Sequence, residues 1–438
     1  MVTADDRHIV ISVDCHGGAP VLGYRDYLES SYHEEFDRWA AAYEVPYEDM
    51  KGEEGSRNWD SDRRLRDLEQ DGIVAEVLFP NTVPPFFSTA SLASGQAAVR
   101  NAEELRRRRA GLQAHNRWLA DFCAMAKGRR SGVFQVMLHD IDAAIEDIRA
   151  AVDSGLRGGV VLPGAPPGSG LPPLYYHDHY GPLWETCVEL GIPINCHSGG
   201  SGPRTGDRRE DDMFFLMEMK WWDQRTLRHL VLGGVLERYP GLKVVFTEVG
   251  VGWIPALLQS MDRFFDSART PSGLAGEGVT YHGSHVIDQL SLRPSEYWKR
   301  QCYVGASFLH PSETAKRELV GVDKIMWGSD YPHVEASFPY SREAMRFAFA
   351  GVPVDETAAM LAGNAAGLYG FSLDGLRSAA GRVGPGRGEV AAGVDPATLP
   401  PAAAKCPAFA GAMPGAATTQ MGDNRKVVEQ SRNAPKIA

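Results

Sequence analysis

The sequence predicts an α/β protein and, within that class, a (β/α)8 barrel. Eight short apolar runs rich in β-branched residues recur along the chain, and longer segments with helical periodicity separate them. Continuous apolar runs suit strands that are buried on both faces of a parallel sheet. Eight strand–helix units are what a closed barrel requires. The phosphate-binding patterns of open sheets, GxGxxG after the first strand and GxxxxGKS/T, are missing from the sequence.

The first predicted strand has the sequence HIVISVD and the last has the sequence KIMWGSD. In chain order they span residues 8–14, 73–79, 132–137, 159–162, 192–197, 243–248, 302–306 and 324–330. Helical patterns lie between them at 142–152, 180–190, 224–239, 257–265 and 312–319. The alternation of strand and helix therefore continues along most of the chain.

The chain has 438 residues, whereas a single domain usually contains no more than roughly 250–300. Two segments account for the surplus. Residues 15–72 form an insertion after the first strand, which suits a lid or pocket wall over the barrel mouth as well as it suits a surface decoration. Residues 376–438 are rich in Ala, Gly and Pro, and we expect a low-complexity, disordered tail there. This leaves residues 1–375 for the barrel.

The composition excludes several classes of protein. A net charge of −11 argues against binding to nucleic acid or to an anionic membrane, and the basic run Arg106–Arg109 is interpreted as a solvated helix face. No apolar stretch approaches the roughly 18–20 residues that span a bilayer. Six scattered cysteines without CxxC spacing, in a chain with a polar start, indicate reduced thiols in the cytoplasm. The expected partner is a small molecule, and a homo-oligomer is compatible with a barrel of this size.

Polar residues at the predicted strand ends point to a metal. Asp14 and His16 end strand one and face the same side, because residues two apart in a strand do so. His197 ends strand five, Glu248 ends strand six and Asp330 ends strand eight. In a barrel, these ends meet at one mouth. Buried carboxylates that lie together require compensation, and a divalent cation supplies it.

Other polar residues leave alternatives open. His333 follows strand eight and would contact the substrate, bind a second metal or cap the loop. Glu218 and His229 lie eleven residues apart, about three helical turns, and would reach the mouth together or pair along the helix.

Several motifs together resemble the amidohydrolase superfamily, in its amidohydrolase-related branch with aminocarboxymuconate semialdehyde and resorcylate decarboxylases. The resemblance spans about residues 8–372. The motifs that carry it are ISVDCH, RRLRDLEQDGIVAEVLFPN, HNRWLADFC, PINCHSG, GWIPALLQSMD, WGSDYPH and GNAAGLYGF.

The resemblance implies a set of metal ligands. The strand-one motif of the family supplies two ligands, which correspond here to Asp14 and His16, and the strand-five histidine corresponds to His197. The strand-eight aspartate, here Asp330, is a ligand and also the base that handles the proton of metal-bound water. The family's metal activates this water or polarises a substrate carbonyl.

Three positions depart from the family pattern. Asp14 stands where the first histidine is more familiar, and strand four lacks the lysine that some relatives carbamylate to bridge two metals. Glu248 stands where the decarboxylases place a catalytic histidine. Direct metal ligation by Glu248 and orientation of a ligand histidine by its carboxylate both remain open.

Two hypotheses for function follow. In the first, one Zn²⁺ or Mn²⁺ held by Asp14, His16, His197 and Asp330 drives hydrolysis or decarboxylation of a small carboxylate or amide. Asp330, Glu248 and His333 are then the candidate catalytic residues, and Glu248 is also a candidate ligand.

In the second hypothesis, an oxygen-rich ligand set holds iron, as one or two ions, and activates O₂. That set consists of three carboxylates with two or three histidines: Asp14, Glu248, Asp330, His16, His197 and His333. The family is similar, in an unusual branch, to a dinuclear-iron hydroxylase of diterpenoid antibiotic (platensimycin and platencin) biosynthesis. Aromatic residues of the insertion and the run Pro84–Phe87 suit an apolar scaffold as substrate, although plain packing explains such stripes as well. The insertion's aromatic residues are Tyr24, Tyr27, Tyr32, Phe36, Trp39, Tyr43 and Tyr47.

Overall fold

The computed structural model describes residues 6–45, 50–87, 98–162, 169–198, 206, 208–269 and 284–416. Eight strands lie within these ranges, and each overlaps a predicted strand, although the third ends at Gly132, where its predicted range of 132–137 begins. They are β1 (Ile11–Gly17), β2 (Ala75–Pro80), β3 (Arg130–Gly132), β4 (Val160–Val161), β5 (Ile194–His197), β6 (Val244–Thr247), β7 (Cys302–Ser307) and β8 (Ile325–Gly328).

The strands form a closed parallel ring. β1, β2 and β3 pair in that order, and β4 to β8 pair in sequence order. Parallel bridges between Cys15 and Tyr331 and between Phe134 and Val160 join the two sets. Every strand residue except Tyr303 is buried, as expected for strands covered on both faces. The predicted (β/α)8 barrel is confirmed.

Helices follow most strands and surround the barrel. Those of eight or more residues are α1 (His33–Ala42), α2 (Ser61–Gln70), α3 (Ala102–Ala124), α4 (Ile141–Asp153), α5 (His177–Leu190), α6 (Arg209–Leu232), α7 (Ile254–Arg269), α8 (Pro294–Gln301), α9 (Ser341–Ala348) and α10 (Leu373–Val383). Shorter α-helical segments are Gly52–Gly55, Val235–Arg238, Pro311–Thr314, Arg317–Val320, Val354–Ala358, Asn364–Tyr369 and Arg387–Ala392.

The helix α4 illustrates how local sequence sets these elements. The carboxylate of Asp140 accepts a hydrogen bond from the backbone N–H of Ala143 and so caps the first turn. Ala144, Ile148 and Ala151 recur at helical spacing and are buried against the barrel. Burying a side chain such as that of Ile148 stabilises the fold by about 1.5–3 kcal/mol.

Two predicted helices differ from the structure. The pattern over 312–319 belongs to the two short helices Pro311–Thr314 and Arg317–Val320. The pattern over 224–239 belongs to two helices, because α6 begins at Arg209 and ends at Leu232. The chain then turns at Gly233 and Gly234, and Gly234 has a φ of +75° that a residue without a side chain adopts at little cost. The short helix Val235–Arg238 follows this turn.

The insertion packs on the loop that follows β2. The Tyr24 hydroxyl lies 2.7 Å from Oγ1 of Thr82 and 2.8 Å from Nδ1 of His115. Rings of the insertion surround Phe86 at centroid distances of 6.0–6.4 Å; they are those of Tyr32, Phe36 and Trp39. These aromatic residues therefore pack against the protein itself. Tyr47 lies outside the described residues.

The C-terminal part requires a correction. A disordered tail was expected from Leu376, but the chain is folded through residue 416. The helix α10 spans Leu373–Val383, and Arg387–Ala392 forms a further helix. Phe409 is fully buried, as is Cys406, although the surrounding sequence is rich in Ala and Pro. The few large apolar side chains of this segment are sufficient to keep it folded because they are buried against residues of the barrel. Residues 417–438 lie outside the described part.

The remaining expectations concern charge, thiols and membranes. The basic run lies on α3 and pairs with carboxylates, with Arg107 bonded to Glu35 and Arg109 to Asp147. All six cysteines are free thiols. Among the described residues, no helix combines the length and the apolar character needed to cross a bilayer.

Candidate metal centre

Four of the predicted site residues meet at the carboxyl ends of the strands. Nε2 of His16 lies 3.2 Å from Oδ1 of Asp14 and 3.2 Å from Oδ1 of Asp330. Nε2 of His197 lies 3.1 Å from the same Asp14 oxygen. All four side chains are buried. The structure thus brings together residues that are up to 316 positions apart in the sequence.

Local backbone features aim these side chains. The register of β1 against β2 shifts between Ser12 and Cys15, which is the pattern of a bulge that redirects a strand. Asp330 and Glu248 both follow strand ends with a φ of +61°, a left-handed conformation that is uncommon outside glycine and tends to occur at functional sites. The backbone N–H of Asp330 bonds to the Asp14 carbonyl at 2.7 Å, which ties the two ligand strands together.

Hydrogen bonds on the outer side orient the ligand atoms. Nδ1 of His16 lies 3.4 Å from the Pro80 carbonyl, and Nδ1 of His197 lies 3.1 Å from the Ser198 carbonyl. Both contacts engage Nδ1 and leave Nε2 as the inward-facing atom of each ring, the atom that a bound cation would take as its ligand. The Ser307 hydroxyl donates to Oδ2 of Asp14 and leaves Oδ1 facing the two histidines.

The donor set suits a divalent cation. Nε2 of His16 is buried and makes no hydrogen bond of good geometry within the described ranges, although two carboxylates lie beside it. Burial alone would raise the pKa of Asp14, but the His197 and His16 charges hold it well below its usual range. Two imidazoles with two anionic oxygens match the ligands of Mn²⁺ and Zn²⁺. These four residues would hold the ion.

Glu248 lies next to this group. Its Oε2 is 3.5 Å from Nδ1 of His197, on the side of the ring that faces away from Asp14. Burial raises the pKa of Glu248 well above its usual value, and the charges of Asp330 and Asp14 raise it further. The contact through Nδ1 favours orientation of His197 over direct ligation, because Nε2 is the inward-facing atom.

His333 approaches the other side of His16. The two ring centroids are 4.4 Å apart, and His16, Asp330 and His333 form a second trio whose candidate ligand atoms lie within 4.8 Å. The first trio is Asp14, His16 and His197. The trios share His16, so they describe adjoining parts of one centre.

A buried ion-pair network lies beside β1 and is hydrogen-bonded to its backbone. Arg64 of α2 bonds to Glu76 of β2 at 2.7 Å and donates to the His16 carbonyl at 2.7 Å. Arg130 of β3 bonds to the same carboxylate at 3.0 Å. All three side chains are buried, so their charges compensate one another. The network therefore holds the backbone of His16, which is a candidate metal ligand.

Sequence reasoning left the roles of Glu218 and His229 open and missed other residues. Glu218 is exposed on α6, and the His229 ring packs on Tyr175 at 5.1 Å, so they do not form a shared group at the site. The α6 residue whose charge acts on Glu248 is Asp223, which is buried. Ser307 was missed because a serine that ends a strand carries no distinctive sequence signal.

The fold and this site define a class of protein: a (β/α)8 barrel enzyme with a mixed histidine–carboxylate centre at the barrel mouth. The chain belongs to the amidohydrolase family, whose profile matches residues 13–371.

Two curated relatives are γ-resorcylate decarboxylases. The protein from Rhodococcus jostii is 32% identical over 154 residues, which are 33% of this chain and 46% of that relative, so the match spans less than half of its length. The protein from a Polaromonas species is 24% identical over 278 residues, covering 62% of this chain and 76% of the relative.

A solved structure shares the fold. The 5-carboxyvanillate decarboxylase from Novosphingobium aromaticivorans, solved with bound manganese and a nitrobenzoic acid ligand, has a TM-score of 0.60 and 18% identity. The likeness covers 83% of this chain and 97% of that one. Neither this structure nor the two curated relatives supports the hypothesis of an iron hydroxylase.

Proposed function

We propose that this protein is a metal-dependent decarboxylase of a small aromatic carboxylate, with hydrolysis of a similar carboxylate or amide as the related alternative. The observation that carries the proposal is the convergence of Asp14, His16, His197 and Asp330 within 3.2 Å contacts. The decarboxylase relatives and the manganese in a structural neighbour support this reaction class and favour Mn²⁺ as the ion. When bound, such a cation supplies Lewis-acid polarisation of a substrate oxygen.

Decarboxylation makes one further demand on the protein. The bond between the ring carbon and the carboxylate breaks, CO₂ leaves, and the electron pair left on the ring carbon takes a proton. A proton donor must therefore lie near that carbon. We assign this role to Glu248, whose side chain is largely buried near the carboxylates of Asp330 and Asp14, so that its pKa lies well above the usual value. It would replace the histidine that the family resemblance leads one to expect.

Asp330 and His333 have proposed roles on the opposite side of His16. The Asp330 carboxylate would act as a ligand and, in the hydrolytic alternative, accept the proton of the attacking water. His333 is partly exposed and lies beside the His16 ring, so it would contact the substrate. A homo-oligomer and a cytoplasmic location stay predictions.

Product analysis in D₂O tests the reaction. The Mn²⁺-loaded protein is incubated with 2,6-dihydroxybenzoate and 5-carboxyvanillate while CO₂ and O₂ are recorded. We expect CO₂ release, one deuterium on the ring carbon and no O₂ uptake. Glu248→Gln should lower kcat about 100-fold or more while Mn²⁺ stays bound, since general acid catalysis contributes 10²–10⁴. Oxygen consumption with a hydroxylated product would contradict the proposal and favour the iron hypothesis.

A further inference from the structure

The chain beyond the family match reaches the barrel mouth. We define the C-terminal strap as residues 396–416; the amidohydrolase match ends at residue 371. The strap contains three short 3-10 turns, Pro396–Thr398, Pro401–Lys405 and Pro407–Phe409. Its buried apolar side chains are those of Ala403, Cys406, Ala408, Phe409 and Met413.

These side chains pack on the residue that follows β7. Phe308 is buried in the same apolar cluster as Phe409, together with Ala344 of α9. The Phe409 ring is fully buried and lies 5.9 Å from the ring of Phe347, also on α9. The strap therefore covers Phe308 and anchors it to a helix of the barrel.

Phe308 has an unusual backbone conformation. Its φ is +56°, in the left-handed region that costs free energy for any residue with a bulky side chain. Such a conformation persists only where the surroundings hold it. The residue before it is Ser307, whose hydroxyl donates to the Asp14 carboxylate. The conformation of Phe308 thus bears directly on where that hydroxyl lies.

The charge of the centre also acts on Cys406 of the strap. Burial raises the pKa of the Cys406 thiol to about 12, and the negative charges of Asp330 and Glu335 add to this effect. The strap therefore lies within electrostatic range of a candidate metal ligand.

We propose that the C-terminal strap is a positioning element of the metal centre. By burying the Phe308 ring, Phe409 holds the left-handed turn that keeps the Ser307 hydroxyl on Asp14. Phe409 is a positioning residue in this account, since it acts on Asp14 through Phe308 and Ser307. The inference rests on the proposed metal centre and is independent of which reaction the enzyme performs.

The test compares Mn²⁺ affinity in two matched variants, measured from free Mn²⁺ by electron paramagnetic resonance. Phe409→Ala removes the largest side chain of the strap from the apolar cluster in which Phe308 is buried. Phe265→Ala makes the same change at a buried position of α7, in a different apolar cluster. We expect about a tenfold weaker Kd in Phe409→Ala, because outer contacts of a metal site contribute 10–100-fold. Phe265→Ala should keep the wild-type Kd, and Phe409→Leu should recover most of the loss.

Thermal unfolding of the metal-free variants measures general destabilisation separately. Equal loss of affinity in both alanine variants would overturn the inference about the strap without contradicting the proposed metal centre. A wild-type protein without affinity for Mn²⁺ would overturn the metal centre and this inference with it.

The substitution Phe308→Gly tests whether Phe409 acts through the backbone conformation of Phe308. Glycine adopts a positive φ without the cost that phenylalanine meets, so Phe308→Gly removes the need for the strap. In that background we expect Phe409→Ala to change Kd by less than about twofold, since the effects of coupled residues are not additive. A full tenfold loss in the Phe308→Gly background would contradict the proposed path through Phe308, and this comparison remains available if Phe409→Ala alone fails to fold.

Discussion

The hydroxyl of Ser307 donates a hydrogen bond to Oδ2 of Asp14, and Oδ1 of the same carboxylate faces His16 and His197. Ser307 therefore determines which oxygen of Asp14 lies at the centre. We predict that Ser307→Ala weakens Mn²⁺ binding about tenfold, the usual effect of removing such a support. Isothermal titration calorimetry of the two proteins with Mn²⁺ measures the change in Kd. Ser154→Ala, which removes a hydroxyl bonded to the Ala151 carbonyl at the end of α4, is the control and should bind as the wild type does.

Removal of the metal should lower stability. The ligand residues are drawn together only in the folded chain, so a bound cation stabilises that state and not the unfolded one. At a free Mn²⁺ concentration about 100 times Kd, the expected gain in the free energy of unfolding is about 2.7 kcal/mol. Urea unfolding with added Mn²⁺ and with EDTA measures the difference. The His197→Ala variant should lose the gain, and a gain that persists in it would count against the assigned site.

The network behind β1 should be sensitive to loss of its carboxylate. Glu76→Gln leaves the guanidinium groups of Arg64 and Arg130 buried without their counter-charge, which costs about 3–5 kcal/mol in comparable sites. Urea unfolding of the metal-free protein measures this cost. Glu189→Gln, which breaks the exposed pair with Arg149, is the control and should leave stability unchanged. Equal stability of the two variants would show that the buried network contributes little.

The sequence predicted the barrel well because its signals are local. Each strand is a short apolar run, and the ends of those runs carried Asp14, His16, His197 and Asp330. Parallel strands in a barrel place their carboxyl ends together, so the position along the chain was enough to predict their meeting.

The other parts of the site depend on contacts that no local pattern encodes. Ser307 acts through a single hydroxyl, and Asp223 reaches the site only because α6 begins earlier than its pattern suggested. The C-terminal segment was misjudged for the same reason. Its composition is poor in large apolar residues, yet Cys406 and Phe409 are buried because they pack in an apolar cluster with residues of the barrel.

Asp71, the residue that follows α2, should make stability depend on pH. Burial raises the pKa of Asp71 to about 7, although Ser341 donates hydrogen bonds to it. The folded state thus binds the proton more tightly than the unfolded state, where the pKa is about 3.9. The stabilisation by this proton is complete below pH 4 and is lost as the pH rises through 7.

Comparison with Asp71→Asn isolates this effect. From pH 5 to pH 8, the wild type should lose about 2–3 kcal/mol relative to the variant, by the linkage between proton binding and folding. Urea unfolding of both proteins at the two pH values gives the difference. A difference between wild type and variant that does not change with pH would refute the shifted pKa.

The central claim is that Asp14, His16, His197 and Asp330 hold one divalent cation. The most direct test is equilibrium titration of the metal-free protein with Mn²⁺, for the wild type and for His16→Ala, which removes the imidazole between the two carboxylates. We predict one tightly bound ion per chain in the wild type and at least about 100-fold weaker binding in His16→Ala. Equal affinity in the two proteins would contradict the account.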